Sequence, residues 1–215
     1  MIHAFKLRHL QQHVDFKFKE RTPVLRSTSS WLIASTLMVS VGTSDVVLAK
    51  SHKPKDSVRY TVPTPGSSID AGAARIRVKA TPKELLQLVT DYGNYSKFIT
   101  RFSKVRVIGR KGSAVDVYLQ VPILKGMAKI WAVVRFEKPH MVAGEQLVEG
   151  HLVKGNVERL DATWRIRRID AESTQLNLEM LIVPKLPVPG SLVTGEVAYA
   201  ADRAVSDVRK EAEKH

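Results

Sequence analysis

The chain has 215 residues with 34 basic and 21 acidic side chains, a net charge of +13 at neutral pH, and no cysteine. The missing cysteine excludes disulfides, thiolate metal sites, a cysteine nucleophile and a lipid anchor on an N-terminal cysteine. A chain of this length forms one domain with a sizeable core or two small ones, and one is expected here.

Residues 1–49 read as an address rather than a fold. A polar, basic leader without clear periodicity is followed by Trp31–Gly42, WLIASTLMVSVG, a stretch without a charged side chain. It falls short of the roughly twenty apolar residues that span a bilayer. It fits the apolar region of a signal peptide, and Val47-Leu48-Ala49 supplies the small residue of a cleavage site. Export to the periplasm or the extracellular space is expected, with retention as a signal anchor as the alternative. Residues 50–72 are rich in Pro, Ser, Lys and Gly and poor in apolar side chains, so a flexible linker is expected there. The folded domain is expected over 73–215.

From Ala73 onward the pattern is mostly of period two, the mark of strands with one buried and one wet face. Ile76 and Val78 alternate with Arg75, Arg77 and Lys79. Thr81, Pro82 and Glu84 then supply a cap, a first-turn proline and a capping box, so a helix starts there. It is interrupted by TDYGNYSKFI, Thr90–Ile99, in which Gly93 is expected to absorb a bend and Asn94 to cap a second short helix. Tyr92, Tyr95 and Phe98 would cluster at one mouth of the fold, either as a plug of the core or as a doorway for a ligand.

Six further strands follow. Val115, Val117, Leu119 and Val121 align on one face; so do Ala128, Ile130, Ala132, Val134 and Phe136; so do Leu160, Ala162, Trp164 and Ile166; so do Leu176, Leu178, Met180 and Ile182. No crossover helix separates them, so the sheet is expected to be antiparallel. The proline-rich PKLPVPG ends the last strand. A helix of about six turns closes the chain, with Val193, Val197, Ala201, Ala204, Val205 and Val208 on one side and Arg203, Asp207, Lys210, Glu211 and Lys214 mostly on the other. The expected architecture is α+β: a curved seven-stranded antiparallel sheet wrapped around a long C-terminal helix, with two short helices after the first strand. Gly195, Ala198, Ala201 and Ala204 are small residues that fit either close helix-to-sheet packing or a cavity.

Three stretches carry a family resemblance: ATPKELLQLVTDYGNYSKFI, VEGHLVKGNVERLDATWRIRRI and VPKLPVPGSLVTGEVAYAADRAV. Together they resemble the START-like superfamily with its helix-grip fold, and within it the polyketide cyclase and coenzyme Q-binding protein group. The resemblance covers about Ala73 to Glu213, and its strongest local element is DYGNYSKF. It implies an apolar cavity between sheet and long helix that holds a lipid, quinone, sterol or polyketide. An export signal is a departure from the mitochondrial quinone-binding members.

The expected ligand-binding wall is Val117, Leu119, Ile130, Ala132, Val134, Trp164, Met180, Val197 and Ala201, with Tyr92, Tyr95 and Phe98 at the mouth. No catalytic residue, metal site or cofactor is expected. The inner rows hold almost no titratable group, no serine stands in a nucleophile elbow, and His140 and His151 lack the spacing of a zinc pair. An enzyme of the cyclase or aromatase type remains the alternative and would need Tyr118, Arg135 or Glu149 to point inward. The basic outer rows and Trp131, with Lys125 and Lys129 nearby, admit an anionic membrane surface as a partner or simply a solvated face. Nucleic acid is not expected, since no recognition helix or aromatic-basic stripe is seen. The protein is expected to be a monomer.

Overall fold

The computed structural model describes residues 57–123, 128–185 and 187–214. The export segment, the start of the expected linker and Lys125 lie outside the described residues.

The elements in chain order are β1 (Val58–Val62), β2 (Ala71–Val78), α1 (Pro82–Thr90), a 3-10 turn (Tyr92–Asn94), α2 (Tyr95–Phe98), β3 (Lys104–Lys111), β4 (Ala114–Ile123), β5 (Ala128–Phe136), β6 (His140–Val142), β7 (Glu145–Gly155), β8 (Val157–Arg168), β9 (Thr174–Pro184) and α3 (Gly190–Ala212). They build one antiparallel sheet in the order β1-β2-β9-β8-β7-β5-β4-β3, with β6 attached to β7. The helix-grip arrangement is the expected one, and the sheet has nine strands rather than seven.

Both additional strands are short and mostly exposed, although β1 alternates Val58, Tyr60 and Val62 with Arg59 and Thr61. β1 lies in the stretch expected as linker and is held to the domain largely by polar contacts. Asn177 donates to the Tyr60 hydroxyl at 2.7 Å, Arg59 pairs with Asp202 of α3 at 3.0 Å, and the Arg75 guanidinium lies 5.9 Å from the Tyr60 ring centre. β6 is fully exposed and turns back into β7 through Ala143 (φ 49°) and Gly144 (φ 82°), two consecutive left-handed residues that suit a tight hairpin.

The N-terminus of α1 is built as its sequence dictates. The Glu84 N–H donates to the Thr81 hydroxyl at 3.3 Å, and the Thr81 N–H donates to the Glu84 carboxylate at 2.7 Å. Beyond Thr90 the bend differs from expectation. Gly93 sits inside the 3-10 turn, needs no left-handed backbone, and a Cβ there would meet nothing within 4 Å. Asn94 caps nothing; its amide donates to both oxygens of the Asp91 carboxylate, at 3.0 and 2.9 Å.

α3 lies across β2 and β9 and touches β1 and α1. Val197, Ala198, Ala201, Ala204, Val205 and Val208 are buried beneath it. The small residues divide between two roles. Ala198 meets Gly72 of β2 backbone to backbone, which is close packing, whereas Gly195 faces open space on the exposed side. Asp207, expected on the outer side, is 3% exposed because it accepts hydrogen bonds from the Thr100 N–H at 3.0 Å and the Thr100 hydroxyl at 2.7 Å. This fastens the segment after α2 onto α3.

Candidate ligand-binding groove

The aromatic interruption after α1 closes one end of the core. Tyr92, Tyr95 and Phe98 are all buried. Tyr92 stacks on Phe136 with ring centres 4.4 Å apart, Tyr95 meets Tyr92 and Phe98 edge-on, and Phe102 stacks on Tyr95 at 5.9 Å. The Tyr95 hydroxyl donates to the Val89 carbonyl, one of the orphan acceptors at the C-terminal end of α1. Burial pushes the phenols of Tyr92 and Tyr95 well above the usual tyrosine range; for Tyr95 the neighbouring Tyr92 adds to this and Trp164 opposes it. Both are therefore neutral at physiological pH. These three aromatics are buried in mutual ring contact.

Strand pairing fixes which wall residues share a face. Val117 pairs with Val134, Leu119 with Ala132 and Val121 with Ile130; Trp164 pairs with Leu178 and Ala162 with Met180. The inner rows then split along their length. Near α1 they are sealed: Val117, Val134, Phe136, Val148, Trp164, Ile166, Leu176 and Leu178 are buried. Toward the β4–β5 hairpin they are only half-buried: Leu119, Val121, Ile130, Leu152, Leu160, Ala162, Met180 and Ile182. The cause is the position of the helices: α3 covers β2 and β9, while α1 and the aromatic plug cover β8 and β7 at one end.

Of the expected wall, Val117, Ala132, Val134, Trp164, Val197 and Ala201 are buried, whereas Leu119, Ile130 and Met180 line the accessible part. Accessible space thus lies at the hairpin end, away from the expected mouth. Val121, Leu152, Leu160, Ala162 and Ile182 belong to the same apolar surface. Leu152 continues the inner row of Val148 and Gly150, and the register of β5 on β7 shifts only beyond it, between Val134 and Val133; β7 runs on to Gly155, past the apolar run that marks it in the sequence. Phe136 reaches across the facing strand because Gly150 has no side chain; a Cβ there would lie 2.8 Å from the Phe136 ring.

Inner positions of β4 (115–123), β5 (130–136), β8 (160–166) and β9 (174–182) carry no ionisable side chain. Tyr118, Arg135 and Glu149 all point outward. Tyr118 stacks on Trp131, Arg135 makes a two-pronged ion pair with Asp116 at 2.7 Å, and Glu149 lies 3.7 Å from His140. His151 is likewise outside, 3.8 Å from Glu137. Among the described residues no group of three or more histidines and carboxylates could hold a metal ion. Two surface hollows, of about 230 Å³ beside Val62–Pro65 and about 390 Å³ beside Asp170–Ser173, both lie outside the groove.

The model of the family described as polyketide cyclase / dehydrase and lipid transport matches residues 78–208. The chain belongs to this family. The polyketide cyclase and lipid transport fold also has many solved relatives of low identity. A STAR-related lipid transfer protein from Xanthomonas axonopodis superimposes with a TM-score of 0.64 at 14% identity, over 74% of this chain and 95% of that one. The lipid transfer and protein localization domain of human StarD13 gives 0.63 at 15% identity, over 74% and 86%. The Zhui aromatase/cyclase from Streptomyces sp. R1128 gives 0.52 at 19% identity, over 67% and 93%. No curated protein matches the sequence. At these identities the likeness is one of fold, which supports the helix-grip fold that the family resemblance implies.

Proposed function

We propose that the protein binds a hydrophobic small molecule, a lipid, quinone or similar compound, in the groove between the inner sheet rows and α3, and transfers it between membranes. The observation that carries this reading is the gradient along the inner rows, sealed at the plug and half-open at the β4–β5 hairpin, with apolar side chains throughout. A ligand hiding roughly 300 Å² of apolar surface there would gain on the order of 7 kcal/mol before ordering costs. Lipid transfer proteins and a cyclase share the fold, so the fold alone does not choose between binding and catalysis. The outward placement of Tyr118, Arg135 and Glu149 favours binding, because general acid–base chemistry needs titratable groups beside the substrate.

Solvent extraction of the purified protein followed by mass spectrometry tests the reading. A stoichiometric hydrophobic compound is expected; repeated extraction without one, together with failure to take up lipid or quinone from vesicles, would overturn it. The apolar stretch Trp31–Gly42 supports export, and fractionation of the producing cell with N-terminal sequencing distinguishes a cleaved signal from a retained anchor.

A further inference from the structure

Four arginines of the outer face are paired with carboxylates. Arg135 is held by Asp116, Arg159 by Asp161, Arg167 by Glu145 and Arg77 by Asp170. Among the described residues, one region gathers several cations without such a partner around an aromatic pair. The pairings place Arg106, Tyr118, Val133 and Lys154 in a line across β3, β4, β5 and β7, and Lys104, Gln120 and Trp131 in the adjacent line, with Lys129 one step beyond Trp131 on the same row. None of these positions is acidic. Lys104, Arg106, Lys129 and Lys154 have no ion-pair partner among the described residues, and all four are exposed.

These cations surround an aromatic pair. Tyr118 and Trp131 stack with ring centres 6.1 Å apart and 21° between planes. Val133, although it points outward between them, is only 2% exposed. Asn156 fixes the tryptophan backbone from the neighbouring hairpin, accepting from the Trp131 N–H at 2.8 Å and donating to its carbonyl at 3.1 Å. β3 is the terminal strand of the sheet and exposes Val107 and Ile108 beside the patch. A purely solvated face has no need of a tryptophan, and a set of unpaired cations repels itself unless a partner supplies the opposite charge.

We propose that this outer face of β3, β4, β5 and β7 docks the protein on an anionic lipid bilayer. Lys104, Arg106, Lys129 and Lys154 meet the lipid phosphates, while Trp131 and Tyr118 sit at the headgroup level with apolar ring and polar tip. The same strands carry Leu119, Val121 and Ile130 on their inner face, so the sheet itself separates the docking patch from the groove. The docking surface goes beyond the ligand reading and does not depend on it.

The test is co-sedimentation of the full chain with phosphatidylcholine vesicles, with and without phosphatidylglycerol, at low and high salt. The apolar N-terminal stretch is common to every variant, so the readout is the phosphatidylglycerol-dependent increment in binding. The triple variant Lys104→Glu, Arg106→Glu, Lys154→Glu is expected to lose on the order of tenfold or more of that increment. The variant Lys79→Glu, Lys83→Glu, Arg168→Glu, with the same change in net charge at exposed positions outside the patch, is expected to keep it. Trp131→Ala should weaken binding that persists at high salt, where surface charge is screened. Unfolding midpoints equal to wild type establish that the variants are folded. Equal loss in both triple variants would reduce the effect to net charge and overturn the proposal. So would retention of a single-stranded oligonucleotide by the patch without any phosphatidylglycerol-dependent increment. Extraction of the patch variant separates the two readings: a retained hydrophobic ligand with lost docking leaves the groove standing, and the reverse leaves the docking surface standing.

Discussion

Gly72 of β2 and Ala198 of α3 meet backbone to backbone, so that a methyl group on Gly72 would lie 2.2 Å from the Ala198 nitrogen. This contact sets how low α3 sits on the sheet and hence where the groove begins. Neither backbone can yield as a flexible side chain would. Gly72→Ala is therefore expected to destabilise the fold by about 1–3 kcal/mol, the range of overpacked cores, read as a lower midpoint in urea unfolding. An unchanged midpoint would mean that α3 rides up freely.

Gly93 makes the opposite prediction. It has neither a left-handed φ nor a neighbour that a Cβ would strike. Gly93→Ala should therefore stabilise the protein by about 0.4–1 kcal/mol, mainly by restricting the unfolded chain. A loss of stability in the same urea experiment would restore the glycine to the role of a hinge.

The hydroxyl of Tyr95 is committed to the Val89 carbonyl in the buried interior. Tyr95→Phe removes the donor and leaves the carbonyl orphaned, at a cost of about 1–3 kcal/mol. Because the ring stack remains and the groove lies elsewhere, the amount of co-extracted ligand should not change. A variant of full stability that loses its ligand would show that the phenol belongs to the site instead.

Burial of Tyr92 and Tyr95 gives stability a defined alkaline limit. Their folded-state pKa values are raised above the ordinary 10.0. The unfolded chain then releases these protons first, and stability falls as pH climbs above that value. The contribution is fully present below it. Unfolding free energy measured from neutral pH upward should decline above pH ~10 in wild type and less steeply in the Tyr92→Phe, Tyr95→Phe double variant. Parallel curves would mean that the phenols titrate as if in water.

The sequence announced those features whose cause is local. The Thr81–Glu84 box and the alternation in β4, β5, β8 and β9 each follow from neighbours within a few residues. β1 escaped because its attachment to Asn177, Arg75 and Asp202 is polar and distant in the chain. Asp207 escaped because a charged residue on a helix reads as exposed until Thr100 is brought beside it. The groove was legible only in part. Alternation gives the face of a residue but not how far along that face a covering helix extends. Leu119 and Val117 therefore look equivalent in sequence, and only one of them is sealed.

The half-open end of the inner rows can be filled deliberately. Ala162 lies there, paired with Gly150 on one side and Met180 on the other, and is itself half-buried. A tryptophan in its place would occupy space that the proposed ligand needs while burying its own apolar surface against Leu160 and Met180. Ala162→Trp is therefore expected to abolish the co-extracted ligand while changing stability by less than about 1.5 kcal/mol, since the site is not fully packed. Thr163→Trp, one residue away on the outer face, is the matched control and should keep the ligand. If Ala162→Trp folds and still carries its ligand, the binding site is not the groove; if it fails to fold, Leu160→Trp puts the same bulk one row closer to the open end and decides the question.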